Sequence, residues 1–219
     1  MTRPKITEDI TVLAANIETR KASQSLLNLI HKHDPDVVIV EQAYRARRWL
    51  RRIKGYQHRQ YWGPEASGIA VLVRDGIRIN RRRKLRMKRT WVGPKAGRFH
   101  QPRVYPALVL IKGAVTFRVL GIHLPTRNQP VAQDESLRRI VKYFREHPNS
   151  PIIAAGDWNR KANELEATAR ACDAELLHVG KVDHAIVRGI TRPEHGRLPT
   201  PAGAHGWALY TVTATEENQ

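Results

Sequence analysis

Four apolar segments of this 219-residue sequence end on polar side chains of types that bind cations or move protons. These side chains are Asn16 after residues 10–15, Glu41 after 36–40, His123 after 116–122, and Asp157 with Asn159 after 151–155. Hard cations such as Mg²⁺ prefer carboxylate and amide oxygens, and an imidazole exchanges protons near neutral pH. Sites are usually built at strand ends and in the loops beyond them. The four positions therefore predict one shared site.

Each of these residues also has a structural explanation when it is taken alone. Asp157 and Asn159 are common turn residues, whose side chains bond to nearby backbone. Glu41 could face solvent, and His123 could be a hydrogen-bonded histidine at the margin of a sheet. Their joint occurrence after four apolar segments favours chemistry over packing.

The elements that must position these residues are mostly strands. Apolar runs predict strands over 10–15, 36–40, 67–73, 107–111, 116–122, 151–155, 182–187 and 208–212. Helical spacing of apolar residues predicts helices over 23–31 and 133–145. No repeat, low-complexity tract or linker interrupts the pattern, so we expect a single domain over residues 1–219. The fold class is an α+β or α/β sandwich of packed sheets with helices outside.

Charge and cysteine content limit the partners and the compartment. The chain has 38 Lys and Arg against 20 Asp and Glu, a formal net charge of +18, which attracts polyanions. Nucleic acid is the first candidate partner and an anionic membrane surface is the second. The one cysteine excludes an internal disulfide framework and a Cys-based zinc cluster. No apolar run approaches the roughly 18 residues needed to span a bilayer. We expect a cytoplasmic monomer without stable membrane insertion.

Six short blocks resemble one family in type and in order. They are Ala15-Asn16-Ile17-Glu18, Val40-Glu41-Gln42, Gly121-Ile122-His123-Leu124-Pro125, Gly156-Asp157-Trp158-Asn159, Val182-Asp183-His184 and Gly203-Ala204-His205. Together they resemble the endonuclease/exonuclease/phosphatase superfamily, the DNase I-like group, over nearly the whole chain. The Gly-Asp-x-Asn block is the most specific. The resemblance implies a four-layer α/β/β/α sandwich, with two packed, mainly antiparallel sheets and a site in a cleft at one edge.

The resemblance also implies a role for each site residue. Phosphodiester hydrolysis needs a metal to neutralise phosphate charge, an activated water, and help for the leaving oxygen. The implied metal is Mg²⁺ or Mn²⁺, held by Glu41 with Asn16 beside it and Glu18 nearby. The other implied roles are water activation for Asp157, phosphate or nucleophile contact for Asn159, phosphate contact for His205, control of the His205 tautomer for Asp183, and phosphate or leaving-group assistance for His123.

The last block departs from the family pattern. It commonly reads Ser-Asp-His, whereas this chain has Gly203-Ala204-His205. Ala204 removes one anionic oxygen from the metal environment. Weaker metal binding, one metal rather than two, or an altered metal preference would follow. A catalytically decayed protein that only binds nucleic acid is an alternative.

Basic residues suggest which phosphate is bound. Arg47 and Arg48 lie in a segment with interleaved aromatic residues, and Arg81 and Arg82 lie in a second basic segment. Arg103 occupies a position where some relatives place an arginine on the phosphate. Phosphate contacts position a protein without reading bases. We therefore predict a low-specificity DNA endonuclease that nicks or cuts, with RNA left open; the alternative enzyme is a phosphoesterase for a lipid or small-molecule phosphate.

Overall fold

Fourteen strands and four helices make up the fold of the described residues. The computed structural model describes residues 6–17, 22–61, 68–87, 90–91, 99–100, 103–200 and 205–215. In chain order, the strands are β1 (Thr7–Asn16), β2 (Val37–Glu41), β3 (Tyr56–Tyr61), β4 (Ile69–Arg74), β5 (Arg78–Arg86), β6 (Thr90–Trp91), β7 (Phe99–His100), β8 (Val104–Lys112), β9 (Val115–His123), β10 (Ile152–Asp157), β11 (Glu175–His178), β12 (Asp183–Arg188), β13 (Ile190–Arg197) and β14 (His205–Thr215). The helices are α1 (Ala22–His33), α2 (Arg47–Leu50), α3 (Pro130–Arg145) and α4 (Ala162–Ala171).

The strands form two six-stranded sheets and a small ribbon of β6 and β7. The first sheet has the order β13-β14-β1-β2-β4-β3, and the second has the order β11-β12-β10-β9-β8-β5. One parallel pair lies at the centre of each sheet, β1 with β2 and β9 with β10, and the other pairings are antiparallel. The prediction of two packed, mainly antiparallel sheets with flanking helices is confirmed.

The four layers follow from where apolar side chains are buried. One core lies between the sheets and continues under α3 and α4 through residues such as Ile140, Phe144 and Leu165. A second core lies under α1, with Leu26 and Ile30 packed on the outer face of the first sheet. Strands covered on both faces have near-continuous apolar sequences, and the resulting layers are α1, first sheet, second sheet, then α3 with α4.

A cluster of charges around the buried Asp36 joins the two sheets at the end opposite Glu41. The Asp36 carboxylate is 1 % exposed, accepts from the Thr11 N–H at 2.9 Å, and pairs with Lys112 Nζ at 2.9 Å and with Arg74. Lys112 ends β8 of the second sheet, whereas Asp36 precedes β2 of the first. This cluster fixes how the sheets align, and hence how their opposite ends meet.

Arg188 on β12 anchors the ends of both outer helices. Its guanidinium donates to the carbonyls of Phe144 and His147 at the end of α3, the first at 2.9 Å. It also donates to Cys172 O after α4 at 3.1 Å, and lies 5.3 Å from the centroid of the Phe144 ring. A cation at a helix C-terminus satisfies carbonyls that lack helical partners.

The structure contains several elements beyond the predicted ones. The basic segment after Glu41 has a 3₁₀ turn over Ala43–Ala46 and the short helix α2 over Arg47–Leu50. Strand β5 and helix α4 had no counterpart among the predicted elements. Of the helices described, none is long and apolar enough to cross a membrane.

Candidate active site

Two rows of three residues end the two sheets on the same edge. In the first sheet, His205, Asn16 and Glu41 are neighbours across β14, β1 and β2. In the second sheet, Asp183, Asp157 and His123 are neighbours across β12, β10 and β9. Strand register therefore places together residues that are up to 189 positions apart in the sequence.

The two rows meet face to face. Asn16 Nδ2 in the first row donates to Asp157 Oδ2 in the second at 3.3 Å. The same Asp157 oxygen lies 3.9 Å from His123 Nε2. Asn16, Glu41, Asp157, Asp183 and His123 are all buried. The predicted convergence of these five residues is what the structure shows, although their chemical roles stay predictions.

Glu41 is a buried carboxylate surrounded by negative charge. Burial raises its pKa well above the ordinary value, and the carboxylates of Asp157 and Asp183 raise it further. The backbone N–H groups of Glu41 and Asp157 partly offset this rise. These N–H groups lie outside hydrogen-bond geometry. Neither carboxylate oxygen of Glu41 has a hydrogen-bond partner among the described residues. Such an arrangement is stabilised by a cation or by a proton.

Glycine at position 156 makes room for this carboxylate. Gly156 has φ +138°, and a Cβ there would lie 2.1 Å from the Ile122 carbonyl oxygen and 2.5 Å from Glu41 Oε1. A side chain at this position would therefore displace Glu41 or break the pairing of β9 and β10. The lack of space for a side chain explains why the Gly-Asp-x-Asn block begins with glycine.

Asp183 lies against the strand that carries His205. A Cβ on Gly206, which has φ +76°, would lie 1.8 Å from Asp183 Oδ1. Gly206 directly follows His205, whose backbone pairs with Asn16. The His205 side chain is outside the described part of the structure, so its pairing with Asp183 stays a prediction.

The loop after β10 holds Asn159 in a left-handed conformation. Its φ is 47°, a region that Asn tolerates better than most residues. Its N–H donates to Asp157 Oδ1 at 2.8 Å, and its Nδ2 donates to Leu124 O at 2.8 Å. Asp157 thus uses one oxygen for this turn and the other for Asn16.

Arg103 brings positive charge to the second row. Burial lowers the pKa of its guanidinium, and the Tyr105 hydroxyl and the Asp157 carboxylate oppose that change. Although the residue as a whole is only half-buried, Nε and Nη1 are fully covered and lack hydrogen-bond partners among the described residues. Such a group is suited to an anion.

Arg127 and Tyr210 are two site neighbours that the sequence did not identify. Arg127 Nε donates to the Asn159 carbonyl at 3.3 Å, and its Nη2 pairs with Glu164 at 3.2 Å. Its only sequence signal is a basic residue four positions after His123. Burial and the charges of Asp183 and Glu41 raise the pKa of Tyr210. The sequence does not indicate that Tyr210 lies near the site, because this residue lies within an apolar strand.

The remaining predicted residues fall into two groups. Arg48, Arg81 and Arg82 are exposed. Glu18 and Ala204, as well as the Arg47 side chain, lie outside the described residues.

Glu41 and Asn16 fit a divalent cation of the Mg²⁺ type. Within the described ranges, no three His, Cys, Asp or Glu side chains form a metal-binding group. Mg²⁺ usually takes only one or two carboxylates and keeps several waters. Glu41 offers two buried oxygens without partners, and Asn16 is its neighbour in the sheet.

The arrangement of site and fold agrees with a family comparison. The model of the endonuclease/exonuclease/phosphatase family matches residues 13–213. The chain belongs to this family. Members of the family are generally hydrolases that act on phosphoester bonds, and they generally use divalent metal ions. The search of curated proteins found no match to this sequence.

Solved structures share the fold at low sequence identity. Truncated TDP2 from Caenorhabditis elegans has 13 % identity and a TM-score of 0.69, covering 94 % of this chain and 98 % of that one. D. rerio TDP2 in complex with a single-strand DNA product has 12 % identity and a TM-score of 0.69, covering 94 % and 99 %. A mannosyl-6-phosphatase from Bacteroides thetaiotaomicron VPI-5482 has 14 % identity and a TM-score of 0.66, with the same coverage.

Proposed function

We propose that this family member is a divalent-metal-dependent phosphodiesterase that cleaves the DNA backbone with low sequence specificity. The observation that carries the proposal is the meeting of two rows of buried polar residues, linked by the hydrogen bond from Asn16 to Asp157. One row contains Glu41, the other contains Asp157, and Arg103 supplies positive charge beside them.

The metal would be held by Glu41 and Asn16, with Glu18 as a further proposed ligand. When bound, a divalent cation neutralises phosphate charge in the cleft. Glu41 contributes a carboxylate that no described residue neutralises. We expect one Mg²⁺ or Mn²⁺, because Ala204 supplies no carboxylate.

The other residues act on water and phosphate in this proposal. Asp157 accepts a proton from the attacking water or orients it, while Asn16 fixes the position of the Asp157 carboxylate. His205 contacts the phosphate, and Asp183 orients the His205 imidazole. His123 and Asn159 contact the phosphate or the leaving oxygen, and the Arg103 guanidinium binds a phosphate oxygen.

The choice of DNA is supported by the charge of the chain. A net charge of +18 suits a polyanion better than a small phosphate. A related fold holds a single-strand DNA product in D. rerio TDP2. The mannosyl-6-phosphatase fold supports a second candidate, the hydrolysis of a small-molecule phosphate. A decayed protein that only binds nucleic acid is the third, motivated by Ala204.

Cleavage of supercoiled plasmid tests the proposal. With Mg²⁺ or Mn²⁺ the protein should convert the plasmid to nicked or linear forms, and EDTA should stop the reaction. Asp157→Asn and His205→Ala should abolish it. Asp75→Asn and His31→Ala are matched controls, because both residues are exposed and lie outside the two rows.

The alternatives give different results in parallel assays. Release of inorganic phosphate from sugar phosphates without plasmid cleavage would favour the small-molecule phosphatase. Salt-sensitive DNA binding without cleavage would favour the decayed protein. The nuclease proposal fails if DNA, RNA and abasic duplex all remain intact with every divalent cation tested.

A further inference from the structure

Strand β5 carries six basic residues at one edge of the second sheet, as far as the described strands extend. It has five arginines, one lysine and no acid, and all six basic side chains are exposed. Among the described strands it pairs only with β8, at the end of the sheet order. We call these six residues the β5 ridge: Arg78, Arg81, Arg82, Arg83, Lys84 and Arg86.

The ridge presents charge on both faces of the sheet. Residues directly opposite in an antiparallel pair share a face. Tyr105 of β8 faces α3, because its hydroxyl bonds to Ser136 of that helix. Arg81 and Arg83 pair with Val109 and Ala107, at even spacing from Tyr105, so they share this outer face. The members at intervening positions, Arg82, Lys84 and Arg86, lie on the inner face.

The arginines of the ridge differ from most of those on the outer helices. Five arginines on or beside α3 and α4 form ion pairs with carboxylates: Arg127, Arg138, Arg139, Arg160 and Arg170. None of the five arginines of β5 pairs with a described carboxylate. Arginine is the better residue for binding phosphate, whereas a charge that only protects a sheet edge is most often lysine.

One end of the ridge reaches the active site. Arg86 pairs with Val104, and the Met87 N–H donates to the Arg103 carbonyl at 3.0 Å. The nine residues of β5 extend from there over about 30 Å, nearly one turn of a DNA duplex. The ridge therefore leads from the site along a direction that a bound nucleic acid could follow.

We propose that the β5 ridge enters the major groove of a DNA duplex edge-on, with its two basic faces against the phosphates of the two strands. A sheet with its side chains is about 10 Å thick, and the major groove of B-form DNA is about 12 Å wide. The major groove of A-form RNA is too narrow and deep for this. The inference rests on the proposed function for its class of ligand, and it specifies duplex DNA as the substrate.

The test measures binding in EDTA, where no cleavage takes place. Anisotropy of a labelled DNA duplex of about 20 base pairs gives affinities at about 50 and about 200 mM salt. The same sequence is measured as single-stranded DNA and as an RNA duplex. The double variants are Arg81→Gln/Arg83→Gln on the outer face, Arg82→Gln/Arg86→Gln on the inner face, and Arg138→Gln/Arg145→Gln on α3 as the charge-matched control.

On duplex DNA the outer-face and inner-face variants should reduce the salt slope of binding equally. Two lost phosphate contacts reduce the salt slope by about 1.8, so wild type should lose about 12-fold more affinity than either face variant over this salt range. The control should keep the wild-type slope. On single-stranded DNA only one of the two face variants should have a smaller salt slope than wild type. On the RNA duplex both face variants should keep the wild-type slope.

Other outcomes overturn the inference. An equal effect of the control would mean that net charge alone drives binding. An effect of one face only on duplex DNA would mean contact from one side. An equal effect on the RNA duplex would exclude entry into the groove, and no effect would leave the charges as protection of the sheet edge. Size-exclusion chromatography and thermal denaturation verify that each variant is folded and monomeric.

These results are separable from the proposed function. If the two faces behave as expected but no metal supports cleavage, the nuclease proposal fails and the groove inference stands. If plasmid is cleaved but the face variants bind duplex DNA as wild type does, the nuclease proposal stands and the groove inference fails.

Discussion

Replacing Glu41 by glutamine separates the energetic effect of its burial from its proposed role as a metal ligand. The glutamine side chain has nearly the same shape but no charge. In the metal-free protein, Glu41 is fully buried beside the carboxylates of Asp157 and Asp183, without a hydrogen-bond partner among the described residues. Glu41→Gln should therefore stabilise the metal-free fold.

The size and pH dependence of this gain follow from the raised pKa. The folded state binds the Glu41 proton more tightly than the unfolded state, so stability falls as pH rises from the ordinary pKa of 4.5 through the raised value. At pH 7 the free-energy penalty of burying the ionised Glu41 carboxylate cannot exceed the cost of protonating it, about 3 kcal/mol. We expect a gain of about 2 kcal/mol at neutral pH, or roughly 4 to 8 °C in Tm. The gain should disappear toward pH 4.

Thermal denaturation followed by circular dichroism provides the assay. In EDTA, Glu41→Gln should melt above wild type at pH 7. Added Mn²⁺ should raise the Tm of wild type, as a ligand of the folded state does, and should leave the variant unchanged. Glu166→Gln, at an exposed carboxylate on α4, is the matched control.

Two results would contradict these expectations for Glu41. A lower Tm of Glu41→Gln in EDTA would show that the carboxylate already has a stabilising partner. An equal effect of Mn²⁺ on both proteins would show that Glu41 does not hold the cation.

Three further substitutions test other parts of the site and fold. Asp157→Asn should lower kcat for plasmid cleavage about 10²- to 10⁴-fold in a protein that still folds, because the amide oxygen still accepts the Asn159 N–H although the amide nitrogen cannot accept from Asn16 Nδ2; a change in kcat below tenfold would contradict the role of Asp157. Tyr210→Phe should raise the free energy of unfolding in urea by about 1 kcal/mol, since its buried hydroxyl lacks a partner among the described residues; a decrease would mean that the hydroxyl is bonded. Arg188→Ala should lower that free energy by about 2 kcal/mol and speed hydrogen exchange at the ends of α3 and α4; unchanged exchange would contradict the anchoring role.

The sequence predicted the site because its residues follow apolar strands. Glu41 and Asp157 end strands that are covered on both faces, so their apolar runs are long and their polar ends are conspicuous. Strand ends in neighbouring positions then form a row by register alone. The hydrogen bond between Asn16 and Asp157 could not be predicted, because it depends on how two separate sheets align.

Other elements gave the sequence no usable pattern. Strand β5 is exposed on both faces, so basic residues at consecutive positions replace the alternation that indicates a strand. Helix α4 buries only Leu165, Thr168 and Ala169, which makes its apolar period weak. The burial of the Arg103 nitrogens could not be predicted either, because the sequence does not indicate which charged side chains the fold covers.

A crystal structure with Mn²⁺ and a short DNA duplex would show whether the two rows of site residues act on one phosphate. Anomalous scattering locates the cation without reference to the rest of the structure. We expect a peak against the Glu41 carboxylate, with one phosphate within contact of both Asp157 and His205. A cation bound elsewhere, or a phosphate that reaches only one of the two rows, would contradict it.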